Sequence, residues 1–235
     1  MNIVDEHERW QKGVEEFVLD QVGASPARVL EVGCGEGELA RALARAGHFV
    51  TAIDPRAPEG HIFQRVRLEE FSDPGLFDYV VASLSLHHIV DLERALDKVA
   101  DLLHTEGTLV VVEFAWDRFD RATVEWVLER LPAASSLEKP SWLQRRCRGW
   151  TRGSGGAQLP AEGYFAEWAS EEGLHSSGRI RAELERRFVE RLFAWVPYLY
   201  PELDDDTSEA DERAAIDAGA INATGFHYVG SLAPE

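Results

Sequence analysis

Residues 29–37 read Val-Leu-Glu-Val-Gly-Cys-Gly-Glu-Gly, a short apolar segment that runs directly into three alternating glycines. Glycine has no Cβ, so such a loop can turn tightly and let the backbone approach a ligand closely. A helical pattern with Leu39, Leu43 and Ala46 follows, and Gly47 ends it. The order of strand, glycine loop and helix predicts the first unit of an α/β fold, with a ligand at the loop.

The spacing of the glycines distinguishes between two kinds of cofactor. The loop reads G-x-G-x-G, whereas a dinucleotide loop reads G-x-G-x-x-G and places a pyrophosphate at the helix N-terminus. Glu38 stands where the third dinucleotide glycine would be, and Glu36 lies inside the loop. Two carboxylates there would repel a pyrophosphate. S-adenosylmethionine carries a sulfonium and an ammonium and no phosphate, so an acidic loop that also contains Glu31 favours this cofactor.

A second acidic position points to a ribose. Phe49–Ile53 is predicted to be the next strand, and Asp54 follows it directly, seventeen residues after Gly37. A carboxylate at the end of this strand can accept hydrogen bonds from both hydroxyls of an adenosyl ribose. Asp54 is therefore predicted to bind the ribose of the cofactor.

Further strands and helices extend the pattern on both sides of the loop. Amphipathic helices are predicted over residues 5–22 and 91–103, the second with Asp91 as its N-cap. Apolar strands that alternate with helices indicate a parallel sheet with helices on both faces, an α/β fold of the Rossmann-like, doubly wound kind. The predicted strands are Arg28–Val32, Phe49–Ile53, Ile62–Leu68, Asp78–Ser83, Thr108–Phe114 and Phe226–Gly230.

A long tryptophan-rich stretch interrupts this rhythm. About 110 residues separate the fifth strand from the last one, too many for a single crossover. Several helices are expected there, with a possible sixth strand near Glu185–Phe193. We interpret residues 116–221 as a helical lid over the substrate, and residues 1–115 with 222–235 as the cofactor-binding core of a single domain. Ordinary helical cover for the sheet is the alternative.

The sequence resembles the class I S-adenosylmethionine-dependent methyltransferases, particularly the branch that acts on small molecules. The resemblance runs from about residue 27 to 115 and returns at the C-terminus. Its motifs are the glycine motif Glu31–Gly37, the ribose-binding acid Asp54, the fourth motif Phe77–His88, the turn His104–Gly107 and the last strand Gly225–Gly230. This resemblance implies a mostly parallel seven-stranded sheet with an antiparallel C-terminal strand and a helical lid inserted after the fifth strand.

The resemblance also implies which residues would bind S-adenosylmethionine. By analogy, the backbones of Gly33 and Ser83 hold its methionine end, and Pro55 flanks the adenine. Many relatives place an acid for the adenine amine where this chain has Arg67, which leaves Glu69 as a substitute. The full predicted cofactor-binding set is Glu31, Gly33, Cys34, Gly35, Gly37, Asp54, Pro55, Leu68, Glu69 and Ser83.

Two histidines and an acid are the candidates for catalysis. Methyl transfer to a hydroxyl requires removal of its proton, whereas a neutral amine or a carboxylate needs no base. His87 and His88 follow the fourth strand, and Glu113 lies near the end of the fifth, at the sheet edge where such folds bind ligands. An imidazole oriented by a carboxylate is a workable general base. Some sugar and natural-product O-methyltransferases that resemble this chain use a His-His pair with an acid at this place. Alternatively, the histidines only pack under the edge and shape the pocket.

The composition of the chain limits the kinds of molecule that it is expected to bind. The formal net charge is −18, which argues against DNA, RNA and anionic membranes, because each favours a basic surface. The chain shows neither a secretory signal nor an apolar run of the ~18 residues that a membrane span needs. Histidines, cysteines and acids do not recur at metal-ligand spacing, so no metal site is predicted. A cytoplasmic monomer or homodimer with a small-molecule methyl acceptor is expected.

Three other functions are compatible with parts of this pattern. An aminopropyltransferase would share the fold, but it would be expected to hold an acidic pocket where this chain has Ser85-Leu86-His87-His88. An NAD-dependent oxidoreductase is disfavoured by the glycine spacing and the acids in the loop. A non-catalytic subunit that binds the cofactor would bind without turnover.

Overall fold

The computed structural model describes residues 6–132, 140–153 and 160–233. Its helices are α1 Glu6–Val22, α2 Glu38–Arg45, α3 Leu92–Leu102, α4 Arg121–Arg130, α5 Trp142–Arg152, α6 Ala161–Glu172, α7 Ser177–Glu185 and α8 Glu209–Asp217. Its strands are β1 Arg28–Val32, β2 Phe49–Ile53, β3 Phe63–Gln64, β4 Phe77–Ser83, β5 Leu103–Phe114, β6 Phe188–Val196 and β7 Gly225–Leu232. Within these ranges, no helix combines the length and the apolar composition that crossing a membrane requires.

The seven strands form one sheet in the order β3-β2-β1-β4-β5-β7-β6. Strands β1 to β5 are parallel, and Leu30 of β1 is paired with Thr51 of β2 on one side and Val80 of β4 on the other. The β5-β7-β6 edge is antiparallel, which confirms the predicted fold class. Strands β1 to β3 are added toward one side of the sheet, and β4 and β5 toward the other, so the strand order reverses between β1 and β4. In such folds, ligands bind at the carboxyl ends of the strands at this switch point.

Two strands differ most in length from their predicted bounds, whereas β4, β6 and β7 differ by one to three residues at an end. The third strand was predicted over Ile62–Leu68, but only Phe63–Gln64 pairs with β2, because it lies at the sheet edge and the chain turns back directly after it. The fifth strand begins at Leu103 rather than Thr108, since Leu103 pairs with Phe77 across a register shift in β4. Both differences depend on strand partners that lie far away in the sequence.

One compact unit contains the glycine loop and most of the sheet. It comprises Trp10–Glu113, His175–Ala194 and the chain from His227 onward. Its core is formed where α1 and α2 pack against β1, around the fully buried side chains of Val18, Val29 and Leu43. Burial of these apolar faces is the main term that stabilises the layers. The core fixes where β1 ends, and therefore where the glycine loop begins.

A second unit comprises Phe114–Leu174 and Trp195–Phe226 and is rich in aromatic side chains. The rings of Phe119 and Phe165 are both buried and stack with centroids 4.2 Å apart. The fully buried Glu212 of α8 accepts hydrogen bonds from three consecutive backbone amides, those of residues 198–200. Parts of the predicted lid, residues 133–139 and 154–159, lie outside the described residues, and the lid role of 116–221 stays a prediction.

Candidate functional site

The glycine loop uses the conformational freedom of its glycines at each of the three positions. Gly33, Gly35 and Gly37 have φ values of 78°, 51° and 84°, in the left-handed region. A Cβ on Gly33 would overlap the Cβ of Ser85, which follows β4, so the two loops are in direct contact. A Cβ on Gly35 would meet no atom within 4 Å. The middle of the loop therefore presents its backbone to open space, where a ligand can approach.

Asp54 connects the end of β2 to this loop. Its Oδ2 accepts a hydrogen bond from the Gly35 amide at 3.3 Å, and its Oδ1 accepts one from the Arg56 amide at 2.7 Å. Each carboxylate oxygen has a second lone pair, and the side chain is only partly buried, so it can also accept from a ligand hydroxyl. The structure thus brings together Asp54 and Gly35, two of the predicted cofactor-binding residues, whose role stays a prediction.

Glu31 is a buried acid near the end of β1, two residues before Gly33. The residue is 3% exposed, and its Oε2 has no hydrogen-bond partner among the described residues. Burial, with a smaller contribution from the nearby charge of Glu38, raises the pKa of Glu31 to about 8. Burial also raises the pKa of the Cys34 thiol to about 12, followed by the charge of Glu31. Both groups therefore keep their protons at neutral pH, and a cation brought beside Glu31 would favour its ionised form, whereas an anion would not.

At the carboxyl ends of β4 and β5, Glu113 organises the turn that contains both histidines. The Glu113 side chain is fully buried. Its Oε1 accepts from the Leu86 amide at 2.6 Å and from the His87 amide at 3.4 Å, and its Oε2 lies 2.6 Å from Nδ1 of His87. His88 is exposed, and its ring centroid lies 4.1 Å from that of His87. Glu113 thus orients both the turn and the His87 ring.

Three features of this edge were missed by the sequence reasoning. The His175 amide donates to the His87 carbonyl at 2.9 Å, and Nε2 of His175 lies 2.7 Å from the Ile89 carbonyl oxygen. Leu84 has a φ of 47°, and the buried Oγ of Ser85 has no hydrogen-bond partner in the part of the chain that the structure describes. Non-glycine residues in this left-handed region are uncommon and concentrate at functional sites. Leu84 and Ser85 lie within the fourth motif, but the motif indicates neither the φ of Leu84 nor the burial of the Ser85 hydroxyl, and the contacts of His175 are distant in sequence.

Four further residues of the predicted cofactor-binding set lie at or after the carboxyl ends of β2, β3 and β4. Ser83 ends β4 and is partly buried, and Pro55 is exposed directly after Asp54. Leu68 is buried in the turn that follows β3, and Glu69 beside it is partly exposed. Their assignment to the cofactor stays a prediction.

Other kinds of site are less well supported. In the part of the chain that the structure describes, no group of three or more His, Cys, Asp or Glu side chains is placed to hold a metal ion. A surface groove lies at the amino ends of β1, β4 and β5, lined by Pro26, Tyr79 and His104 among others. Since these strands are parallel, the groove is at the opposite edge of the sheet from the glycine loop.

The chain is similar in sequence to known methyltransferases. The model of a family described as a methyltransferase domain matches residues 4–155. An uncharacterized methyltransferase of Mycobacterium tuberculosis is 38% identical over 99 residues, which cover 37% of this chain and 50% of the relative. A ubiquinone biosynthesis O-methyltransferase of Xylella fastidiosa is 31% identical over 159 residues, covering 60% of this chain and 65% of the relative. The chain thus spans about half to two thirds of the length of these relatives.

Solved structures support the fold. A Burkholderia thailandensis 1,6-didemethyltoxoflavin-N1-methyltransferase with bound S-adenosylhomocysteine matches 96% of this chain and 79% of its own at a TM-score of 0.55 and 15% identity. The N-methyltransferase NodS of Bradyrhizobium japonicum, also with S-adenosylhomocysteine, matches 99% of this chain and 90% of its own at a TM-score of 0.54 and 16% identity. At these identities the similarity establishes a shared Rossmann-like fold.

Proposed function

The chain belongs to the methyltransferase-domain family, and from that membership we infer that it transfers a methyl group from S-adenosylmethionine to a small molecule, at a hydroxyl. The observation that carries this proposal is the acidic glycine loop. The buried Glu31, two residues before Gly33, has an Oε2 without a hydrogen-bond partner among the described residues, and the backbone at Gly35 borders open space. The similar proteins named for O- or N-methylation, and those solved with S-adenosylhomocysteine, support the reaction class and the cofactor.

The residues around the loop fit this cofactor. The acids in and beside it suit a ligand with a sulfonium and an ammonium, and Asp54 beside Gly35 suits ribose hydroxyls. Gly33 and Ser83 would hold the methionine end through their backbones, and the residues after β2 and β3 would bound the adenine. The bound cofactor supplies a methyl group already activated for displacement, so the protein has to align the acceptor and exclude water.

We assign the general base to His87. A carboxylate only accepts hydrogen bonds, so the 2.6 Å contact with Glu113 supports the tautomer with its proton on Nδ1, in which Nε2 carries the lone pair. Nε2 can then take the proton of an acceptor hydroxyl, while Glu113 stabilises the imidazolium that forms. His88 is the neighbouring candidate, but Glu113 bonds to His87. An amine acceptor would need no base. Because the chain is similar in structure to two N-methyltransferases, amine acceptors are to be tested alongside hydroxyl acceptors.

Binding of S-adenosylhomocysteine and not of NAD tests the cofactor. A ligand that binds only the native state stabilises it, by roughly 2–3 kcal/mol at about 100-fold excess over Kd. Thermal unfolding should therefore shift upward with S-adenosylhomocysteine and remain unchanged with NAD. A shift with NAD alone would overturn the proposal. Turnover by the purified chain, against binding without turnover, separates an enzyme from a cofactor-binding subunit.

Replacing Asp54 with alanine should weaken binding of S-adenosylhomocysteine by about 1.5–3 kcal/mol, the range for hydrogen bonds to a charged group. The chain should still fold, since Asp54 follows its strand and is partly exposed. Asp73 is a matched control because it also accepts from a backbone amide, that of Gly75, and from Arg28, away from the loop. Asp73→Ala should leave the Kd from calorimetry unchanged. An unchanged Kd in folded Asp54→Ala would mean that the ribose site lies elsewhere.

A further inference from the structure

The turn that follows β4 is held only loosely by its own hydrogen bonds. Leu86–His88 form a single 3₁₀ turn, and the Ile89 amide closes it with a bond of 3.2 Å to the Leu86 carbonyl. Hydrogen bonds in such turns have poorer geometry than those of an α-helix. Leu84, just before the turn, has a strained left-handed φ of 47°. The position of the His87 ring therefore depends on contacts from outside the turn.

Glu113 holds this turn at its N–H groups. Its carboxylate accepts from the amides of Leu86 and His87, and it contacts Nδ1 of the His87 ring. A carboxylate that only accepts hydrogen bonds cannot bind the carbonyl groups of the turn. Glu113 therefore fixes the start of the turn and the ring, and the end of the turn needs a different partner.

His175 contacts the same turn at its carbonyl groups. It lies two residues before α7, and its backbone amide donates to the His87 carbonyl at 2.9 Å. Nε2 of its ring lies 2.7 Å from the Ile89 carbonyl oxygen, which can only accept, so Nε2 is the donor. One residue thus binds the turn at two points, its middle and its end.

The segment that contains His175 is itself held in place. Ile180 and Leu184 on α7 are fully buried, so the helix is packed against its neighbours. Directly after the helix, Arg187 donates to Asp97 of α3 at 2.6 Å. A contact made from a packed element fixes its partner more precisely than one made from a mobile loop. His175 is therefore a firm support for the turn.

We propose that His175 is a positioning residue for methyl transfer, which keeps Nε2 of His87 at the place where it takes the acceptor proton. This inference rests on the proposed function. A base must lie within hydrogen-bond reach of the proton that it removes, and a misplacement of about 1 Å can cost on the order of 10²-fold in rate. Glu113 and His175 hold the backbone of His87 at its amide and at its carbonyl, which limits rotation of the residue. His175 itself exchanges no proton in the reaction.

The kinetics of three variants at position 175 test this role. His175→Ala keeps the backbone bond and loses the ring bond, so it should lower kcat by about 10- to 100-fold. The Kd of S-adenosylhomocysteine and the KM of the acceptor should stay nearly constant. His175→Gln should restore most of the loss, because the amide nitrogen of glutamine can take the place of Nε2 and donate to the Ile89 carbonyl. His175→Asn is one methylene shorter and should not restore it.

A double variant separates positioning from general damage to the fold. In the His87→Ala background, the further change His175→Ala should have little effect on kcat, because residues that act as one unit are not additive. Loss of kcat by the same factor in both backgrounds would show that His175 does not act through His87, and would overturn the inference.

Asp91→Ala is the matched control for the structure next to the turn. Asp91 lies two residues after Ile89, and as the N-cap of α3 it accepts from the Arg94 amide at 3.1 Å. Loss of this cap should lower the unfolding temperature and leave kcat nearly unchanged. A loss of kcat in Asp91→Ala as large as that in His175→Ala would assign the effect to stability and contradict the positioning role.

Nuclear magnetic resonance of the unliganded full chain, with isotope-labelled histidine, tests the inference without turnover. The ring signals of His87 are those that disappear in His87→Ala. They should be sharp in the wild type and in His175→Gln, and broadened or split in His175→Ala, because the turn then exchanges between conformations. Unchanged His87 signals in His175→Ala, with folding checked by its unfolding temperature, would contradict the inference. Absence of methyl transfer by a wild-type chain that shows the expected signals would contradict the proposed function alone.

Discussion

Replacing His87 with alanine is expected to lower kcat by ~10²–10⁴ while the Kd for S-adenosylhomocysteine stays nearly constant. The loss has this size because a positioned general base contributes that factor to proton transfer in the transition state. The proposed cofactor contacts are those of the glycine loop and Asp54, so binding should not change. The measurement is methyl transfer to a hydroxyl acceptor found by screening, with kcat and KM determined separately.

Glu113→Gln tests whether the carboxylate acts through His87. Glutamine retains an oxygen that can accept from the Leu86 and His87 amides, so the turn should persist while the charge that stabilises the imidazolium is lost. The two losses should be less than additive in the double variant, because the residues act as one unit.

His88→Ala is the matched control for His87→Ala. His88 is the adjacent histidine, and its side chain is exposed rather than buried. Its removal should cost far less kcat than removal of His87. A larger loss at His88 would move the base to that residue, and near-wild-type turnover in both single variants would show that the histidines only shape the pocket.

The sequence predicted the parts of the site that depend on local pattern. The glycine loop is recognisable because a tight turn between a buried strand and a helix requires glycine at fixed positions, and the three left-handed φ values meet that requirement. The meeting of His87 and Glu113 was also predictable, because β4 and β5 are parallel and their carboxyl ends share one edge of the sheet. Their proximity is observed, and their catalytic role stays a prediction.

The features that escaped prediction depend on tertiary contacts. Nothing in the sequence around His175 indicates that it would bond to the His87 and Ile89 carbonyls, which are almost ninety residues earlier. A motif also does not predict that Oε2 of Glu31 has no hydrogen-bond partner among the described residues, because the sequence alone does not show that this acid is buried. Strand β3 is short because it lies at the edge of the sheet, and the pattern of apolar residues does not indicate which strand is at an edge.

Replacing Gly33 with alanine is expected to destabilise the chain by about 2–5 kcal/mol and to abolish binding of S-adenosylhomocysteine. Two costs combine at this position. A left-handed φ of 78° costs an L-residue roughly 1–2 kcal/mol, and the overlap of the new Cβ with Ser85 adds about 1–3 kcal/mol of overpacking. The loop can relieve the overlap only by moving away from the turn after β4, which would disturb both sides of the cofactor site.

Two further variants separate these costs, with urea unfolding as the measurement. Gly35→Ala carries the left-handed strain without the overlap, because no atom lies within 4 Å of its added Cβ, so its loss should be only about 1–2 kcal/mol. Ser85→Gly in the Gly33→Ala background removes the clashing atom and should restore about 1–3 kcal/mol, which appears as a coupling energy between the two sites. Equal losses in Gly33→Ala and Gly35→Ala, with no restoration by Ser85→Gly, would show that the two loops are not packed as tightly as this geometry requires. The close approach of Gly33 to Ser85 would then have no part in forming the cofactor site.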